Sequence, residues 1–164
     1  DSDVLNRLAG ITPDSSLGQL RAQRPEVLRY AQGSYKALFE PDDLGDVSLY
    51  ERALIALRVA TLTSTAALAN QQREQLRQLG ASDEAIAAIE QFPHGSGLSD
   101  RETALLQHTD RVAREPASST KEHLDALYAV GLGPRDIVTI SQLIAFLSFQ
   151  VRALTGLRLL GEEV

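Results

Sequence analysis

Residues 52–80 read RALIALRVATLTSTAALANQQREQLRQLG. The opening RALIALRVA holds strong helix formers and, apart from two arginines, nothing polar. Just ahead of it, SLYE (48–51) has the form of a capping box. Ser48 can accept from the amide three residues on while the Glu51 carboxylate reaches back to the amide of Ser48. The run then breaks at TLTST. Hydroxyl side chains compete for backbone groups and favour helix ends over helix interiors. Helical composition resumes in AALANQQREQLRQL and stops at Gly80, a residue suited to the left-handed cap. The stretch predicts a helix, a short break and a second helix, with Thr63, Ser64 and Thr65 expected to cap the second one.

Outward from this pair the punctuation stays helical. DVLNRLAG predicts a short helix closed by Gly10, and ITPDSSLG (11–18) a link. RPEVLRYAQGSYKALFE has Pro25 at the first helical position and apolar residues at helical spacing. PDDLGD predicts a loop. SDEAIAAIEQF has acids in its first turn, where the helix dipole favours them. SDRETALLQHTDRVARE opens on a second capping box, Ser99 with Glu102. STKEHLDALYAVG predicts a further helix. The last, from Pro134, is predicted to run about 25 residues and, being apolar nearly all round, to be the buried central helix. The fold class is all-α with seven to eight helices. Residues 1–45 are expected to form an N-terminal helical arm and 46–164 one compact helical domain.

The chain has 164 residues, enough to bury a core without covalent staples. It has no cysteine, which removes disulfides, thiolate nucleophiles and Cys-ligated metal from consideration. A formal charge of −6 opposes binding to nucleic acid, whose phosphates need a basic face. No unbroken apolar run of the ~20 residues of a membrane span is visible. The expected setting is cytoplasmic, with no membrane and no nucleic-acid partner. No metal and no cofactor are implied, since no two histidines share a ligand spacing.

From about residue 48 to 160 the order of pieces resembles the carboxymuconolactone decarboxylase/AhpD-like family. ERALIALRVATLTSTAALANQQREQLRQLGASDEAIAAI resembles the family's core helix pair and the short helix after it. LSDRETALLQHTDRVAREPASST, HLDALYAVGLGPRDIVTI and QLIAFLSFQVRALTGL resemble the segments that follow. The N-terminal LAGITPDSSLGQLRAQRPEVLRYAQGSYKALF resembles the leader of a divergent, peroxidase-related subgroup. The resemblance implies an AhpD-like orthogonal helical bundle and an oligomer, whether dimer, trimer or hexamer. In peroxidase-type members the chemistry comes from a Glu, a Cys-x-x-Cys pair and a His. The thiolate attacks peroxide, the second thiol resolves it, and His and Glu relay protons.

On those positions this chain carries Ala53, Thr65, Leu68 and Gln72. Glu51 lies two residues from the expected Glu position and Glu74 two from the expected His position, a helical rotation of about 200°, so neither replaces the missing group. By resemblance the fold is that of an alkylhydroperoxidase-related protein from which the catalytic set is gone. The expected function is a non-catalytic structural, regulatory or small-ligand-binding oligomer, with a Cys-bearing AhpD-like paralogue as a possible partner. The alternative is a peroxidase-related oxidoreductase or cofactor-free lyase using other residues, such as His108 with Tyr50 or Tyr128.

The candidate pocket consists of Arg58, Thr61, Ser64, Thr65, Gln72 and His108. Arg58 and Arg152 are charges embedded in apolar helices. A buried guanidinium needs a carboxylate, carbonyls or an anionic ligand; Glu51 and Asp136 are the expected partners. Ser148 and Gln150 lie on the same last helix. His94 is expected in an exposed loop, His108 half-buried against the core, and His123 in an exposed first turn. The acid–base run DRVARE reads as solvated ion pairs.

Overall fold

The computed structural model describes residues 3–163, and side chains as far as residue 161. Helices run α1 Val4–Ala9, α2 Ser16–Ala22, α3 Pro25–Phe39, α4 Leu49–Leu62, α5 Ala66–Gln78, α6 Asp83–Glu90, α7 Asp100–Arg114, α8 Lys121–Ala129 and α9 Pro134–Glu163, with a single 3₁₀ turn at Pro116–Ser118. Among the described residues there is no strand. The fold is all-α, with more helices than the sequence predicted. The added one, α2, begins inside the predicted link because Ser15 caps it through the Gly18 amide.

The central helix is α4, not α9. Ten residues in a row, Glu51 to Ala60, are buried. Ala53, Ala56 and Ala60 are small enough to let neighbouring helices approach on several sides, and α5, α6, α7 and α9 all pack against α4. Its start is the predicted capping box: Ser48 Oγ accepts from the Glu51 amide at 3.2 Å, and Glu51 Oε2 accepts from the Ser48 amide at 2.8 Å. The α7 box of Ser99 and Glu102 repeats this geometry. At the far end of the pair, Gly80 takes φ +92°, the left-handed cap that the sequence implied.

Helix α9 is the longest element. Over Pro134–Gly161 it is long and apolar enough to cross a membrane by length and composition, with a mean hydropathy of 1.6 in its most apolar window of 18 residues. The polar and small residues spaced through it hid this from a search for unbroken apolar runs. Only 44% of that apolar window is buried inside the chain. One side packs on α4 and α7 through Ile140, Leu143, Ile144 and Leu147. Another side takes the N-terminal arm, where Val4 and Leu5 of α1 and Ala31 of α3 join Phe146 and Leu154 in a second small core. Val138 and Phe149 remain exposed.

Three carbonyls fasten α3 and the following loop to α4. The buried Arg52 guanidinium donates to Leu38 O at 2.6 Å, Leu44 O at 2.8 Å and Val47 O at 3.0 Å. Burial pushes its pKa down, and the nearby Glu51 and Asp136 push it back up.

Candidate functional site

The break between α4 and α5 sits at the end of the buried helix pair. Thr63 turns its hydroxyl back to Val59 O (2.8 Å) and Ala60 O (3.3 Å), closing α4. Ser64 takes a left-handed conformation, φ +53°, to turn the corner. Thr65 begins α5 without a side-chain capping bond; its hydroxyl lies 2.9 Å from that of Thr63. The expected capping cluster therefore serves the end of α4 and leaves the first-turn amides of α5 without a hydroxyl cap.

Beside this corner is a cleft of about 350 Å³ between the α4–α5 junction, α7 and α9. Val59, Ala113 and Val151 supply apolar wall; Thr63, Thr65, Ser148, Thr155 and Arg152 supply polar groups. Ser148, Arg152 and Thr155 follow each other at i, i+4 and i+7, which places them on one face of α9. Arg152 donates to Ser148 O at 2.8 Å and, among the described residues, meets no carboxylate.

The remaining candidate residues lie elsewhere. Arg58 is buried and forked onto Asp110 of α7, with Nε to Oδ1 and Nη2 to Oδ2 both at 2.6 Å. Its third contact is Glu90 O at 3.2 Å, and it lies over the Phe92 ring. The partner is thus Asp110 rather than Glu51 or Asp136. Glu51 accepts from Arg101 Nε at 2.5 Å, and Asp136 caps the α9 entry by accepting from the Gly133 and Asp46 amides. The expectation of solvated ion pairs in DRVARE fails at Asp110, which pairs with the buried Arg58. Its position on the Leu106–Asp110–Ala113 stripe of α7 was the sequence signal that it points inward.

Thr61 returns its hydroxyl to Leu57 O within its own helix. Gln72 is buried in the α5 face between Leu68 and Leu76, and its Oε1 has no hydrogen-bond partner among the described residues. Gln150 on α9 is buried, with neither amide atom paired among the described residues. His108 is buried, with Nε2 3.3 Å from Ser141 Oγ. Burial lowers its pKa, helped by the charges of Arg111 and His123, so its neutral form is favoured. Tyr50 lies beside Glu102; burial and that carboxylate raise its pKa. Tyr128 is exposed on α8, and His94 is exposed in its loop. His123 accepts the Thr120 amide at the start of α8. Of the six predicted pocket residues, the cleft lining takes in Thr65, and it adds Thr63, Ser148, Arg152 and Thr155.

Ala53 and Leu68 are each 1% exposed and Gln72 is 2% exposed, so three of the four positions compared with the peroxidase set are interior. Thr65 alone of these four reaches the cleft. Among the described residues no group of three His, Asp or Glu side chains is placed to hold a metal ion.

No family model matches the chain, and no curated protein matches it in sequence. Solved structures match its architecture. A protein of unknown function from Agrobacterium tumefaciens, provisionally named as the antioxidant defence protein AhpD, superposes with a TM-score of 0.75 at 18% identity, over 85% of this chain and 92% of that one. An uncharacterized peroxidase-related protein from Silicibacter sp. TM1040 gives 0.76 at 20% identity, over 93% and 78%. An alkylhydroperoxidase AhpD core protein from Ralstonia eutropha JMP134, itself described as an uncharacterized peroxidase-related protein, gives 0.73 at 17%, over 90% and 80%. The agreement of long superpositions with low identity means that the helical frame is shared while the side chains are not, and the chain has the AhpD-like all-helical fold.

Proposed function

We propose that this chain is a non-catalytic protein of AhpD-like fold that acts as an oligomer and holds a small polar ligand in the Thr65–Arg152 cleft. The observation that carries the reading is the state of the compared positions. Ala53, Leu68 and Gln72 are packed inside, and none offers a nucleophile or a titrating group. Among the described residues the Thr65 hydroxyl hydrogen-bonds to the Thr63 hydroxyl and carbonyl and to no base, and an unactivated hydroxyl is a poor nucleophile. Arg152 and the hydroxyls of the cleft suit recognition by charge and hydrogen bonding.

The alternative reading, chemistry run by His108 with a tyrosine, finds less support. His108 is held by Ser141, Tyr50 faces Glu102, and Tyr128 is exposed.

Purified protein incubated with hydrogen peroxide or an organic hydroperoxide and a dithiol reductant should consume peroxide at the rate of the protein-free blank. Turnover above that blank, abolished by heat, would overturn the non-catalytic reading. A thermal-shift screen of small carboxylates and polyols tests the cleft: a stabilising compound should lose its effect in Arg152→Ala, and a shift unchanged by that substitution places the binding elsewhere.

A further inference from the structure

The solvent side of α9 has a regular spacing. Val138, Gln142, Ala145, Phe149, Arg152, Gly156 and Leu159 are all exposed and follow one another in steps of four and three. That alternation is the heptad spacing of a helix whose stripe packs against another helix. Six of the seven are uncharged. Val138 is 56% exposed, Phe149 45% and Leu159 60%, which puts three large hydrophobic side chains in solvent on one stripe of one helix.

Alongside it, α3 presents Val27, Tyr30, Ser34 and Ala37, again at steps of three and four, and again uncharged. Between the two helices lies an open groove of about 670 Å³, floored by Ala31, Leu38 and Phe146 and flanked by Tyr30 and Phe149. Among the described residues no charged one lines it.

From these observations we infer that the α3–α9 face is the surface on which two copies of this chain pair. The α9 stripes cross, and each Phe149 seats against the groove of the other copy. This rests on the oligomeric reading above and names its surface.

A second copy is the occupant that the geometry favours. The stripe runs from Val138 to Leu159, close to evenly on either side of Phe149. A two-fold axis near Phe149 therefore brings the Val138 end of one helix to the Leu159 end of the other. Such self-complementarity is what a two-fold interface requires. The size is also fitting: α9 contributes a strip about 32 Å long and one helix wide, α3 about 15 Å more, for roughly 500 Å² per copy. That is the apolar centre of a standard interface of ~800 Å² per partner, the remainder being polar rim. The stripe also continues through Arg152 into the wall of the Thr65 cleft, so the second copy borders the mouth of that cleft.

The chain lacks cysteine, which allows a direct test. Phe149→Cys, next to the two-fold axis, should give a covalent dimer under mild oxidation, and Leu124→Cys, on exposed α8, should not. By light scattering after size exclusion at tens of micromolar, the unmodified chain should elute as a dimer or a multiple of it. Phe149→Glu should weaken self-association at least tenfold with helical circular dichroism unchanged. If Phe149→Glu fails to fold, the cysteine pair alone decides. A monomer at that concentration, an oligomer whose mass ignores Phe149→Glu, or equal cross-linking at Leu124→Cys overturns the inference. So does binding of a monomer to phosphatidylcholine vesicles, which would give the face to a lipid surface. Peroxide turnover by a dimer would overturn the non-catalytic reading and leave the interface standing.

Discussion

Arg58 and Asp110 stand 52 positions apart and meet through two 2.6 Å contacts inside the bundle. Such a pair is better understood by what its rupture leaves behind than by its own attraction, because both partners gave up water to form it. Asp110→Leu should destabilise the fold by about 3–5 kcal/mol, since it strands a buried guanidinium. Adding Arg58→Met should recover most of that loss. Urea denaturation of both variants checks this, and a double variant as weak as the single one would refute it. His108 makes a second residue-scale prediction. Its folded pKa lies below the ordinary value of ~6.5 because burial disfavours the imidazolium. The unfolded chain therefore binds the proton more readily. The contribution to stability is present above about pH 6.5 and is lost as pH falls through the lowered folded value. His108→Gln, which keeps a hydrogen-bonding group for Ser141, should show a smaller fall in unfolding midpoint between pH 7 and 5 than the unmodified chain.

At the level of elements, the two capping boxes have similar geometry and different surroundings. Ser48→Ala and Ser99→Ala should each cost about 1 kcal/mol, the usual value for a lost N-cap. Their glutamates should differ. Among the described residues Glu102 forms no ion pair, while Glu51 takes the Arg101 fork, and Arg101 goes on to Val130 O and Asp46 O. Glu51→Ala should therefore cost about 2–3 kcal/mol, as for a lost charge-assisted bond; equal costs for the two glutamates would count against this. Helix identities were legible in the sequence wherever they depend on local signals: Ser48, Ser99, Pro25, Pro134 and Gly80 all stand where they were read. What stayed hidden depends on who packs against whom. Arg58 gave no local hint that Asp110, rather than Glu51, would reach it. Thr63 and Thr65 carry the right chemistry for a cap, yet whether a threonine bonds forward to an amide or back to a carbonyl is settled by the corner at Ser64. The cleft wall of Ser148, Arg152 and Thr155 was written in its i, i+4, i+7 spacing, but nothing in one helix says what lies opposite.

For the molecule as a whole, the long apolar final segment was legible as a helix and misleading as a centre. Apolarity all round suggested burial inside the chain, whereas α4 takes the middle and α9 keeps one stripe outward. The arm, by contrast, folds back: Val4 and Leu5 are buried against α9 and α3. To that apolar packing the Arg52 guanidinium adds a polar tie, on the carbonyls of Leu38, Leu44 and Val47. A lysine there would keep the charge but has one nitrogen where the guanidinium has three, so it cannot hold three diverging carbonyls at once. Residues 40–47 would then be fastened by fewer bonds, and chain segments released from such bonds are where proteases cut. Arg52→Lys should consequently leave helix content almost intact while a brief endoproteinase Asp-N digest severs the chain in this loop, at Asp42, Asp43 or Asp46. The unmodified protein should resist the same digest, because one side chain acts as a rivet between the arm and the bundle.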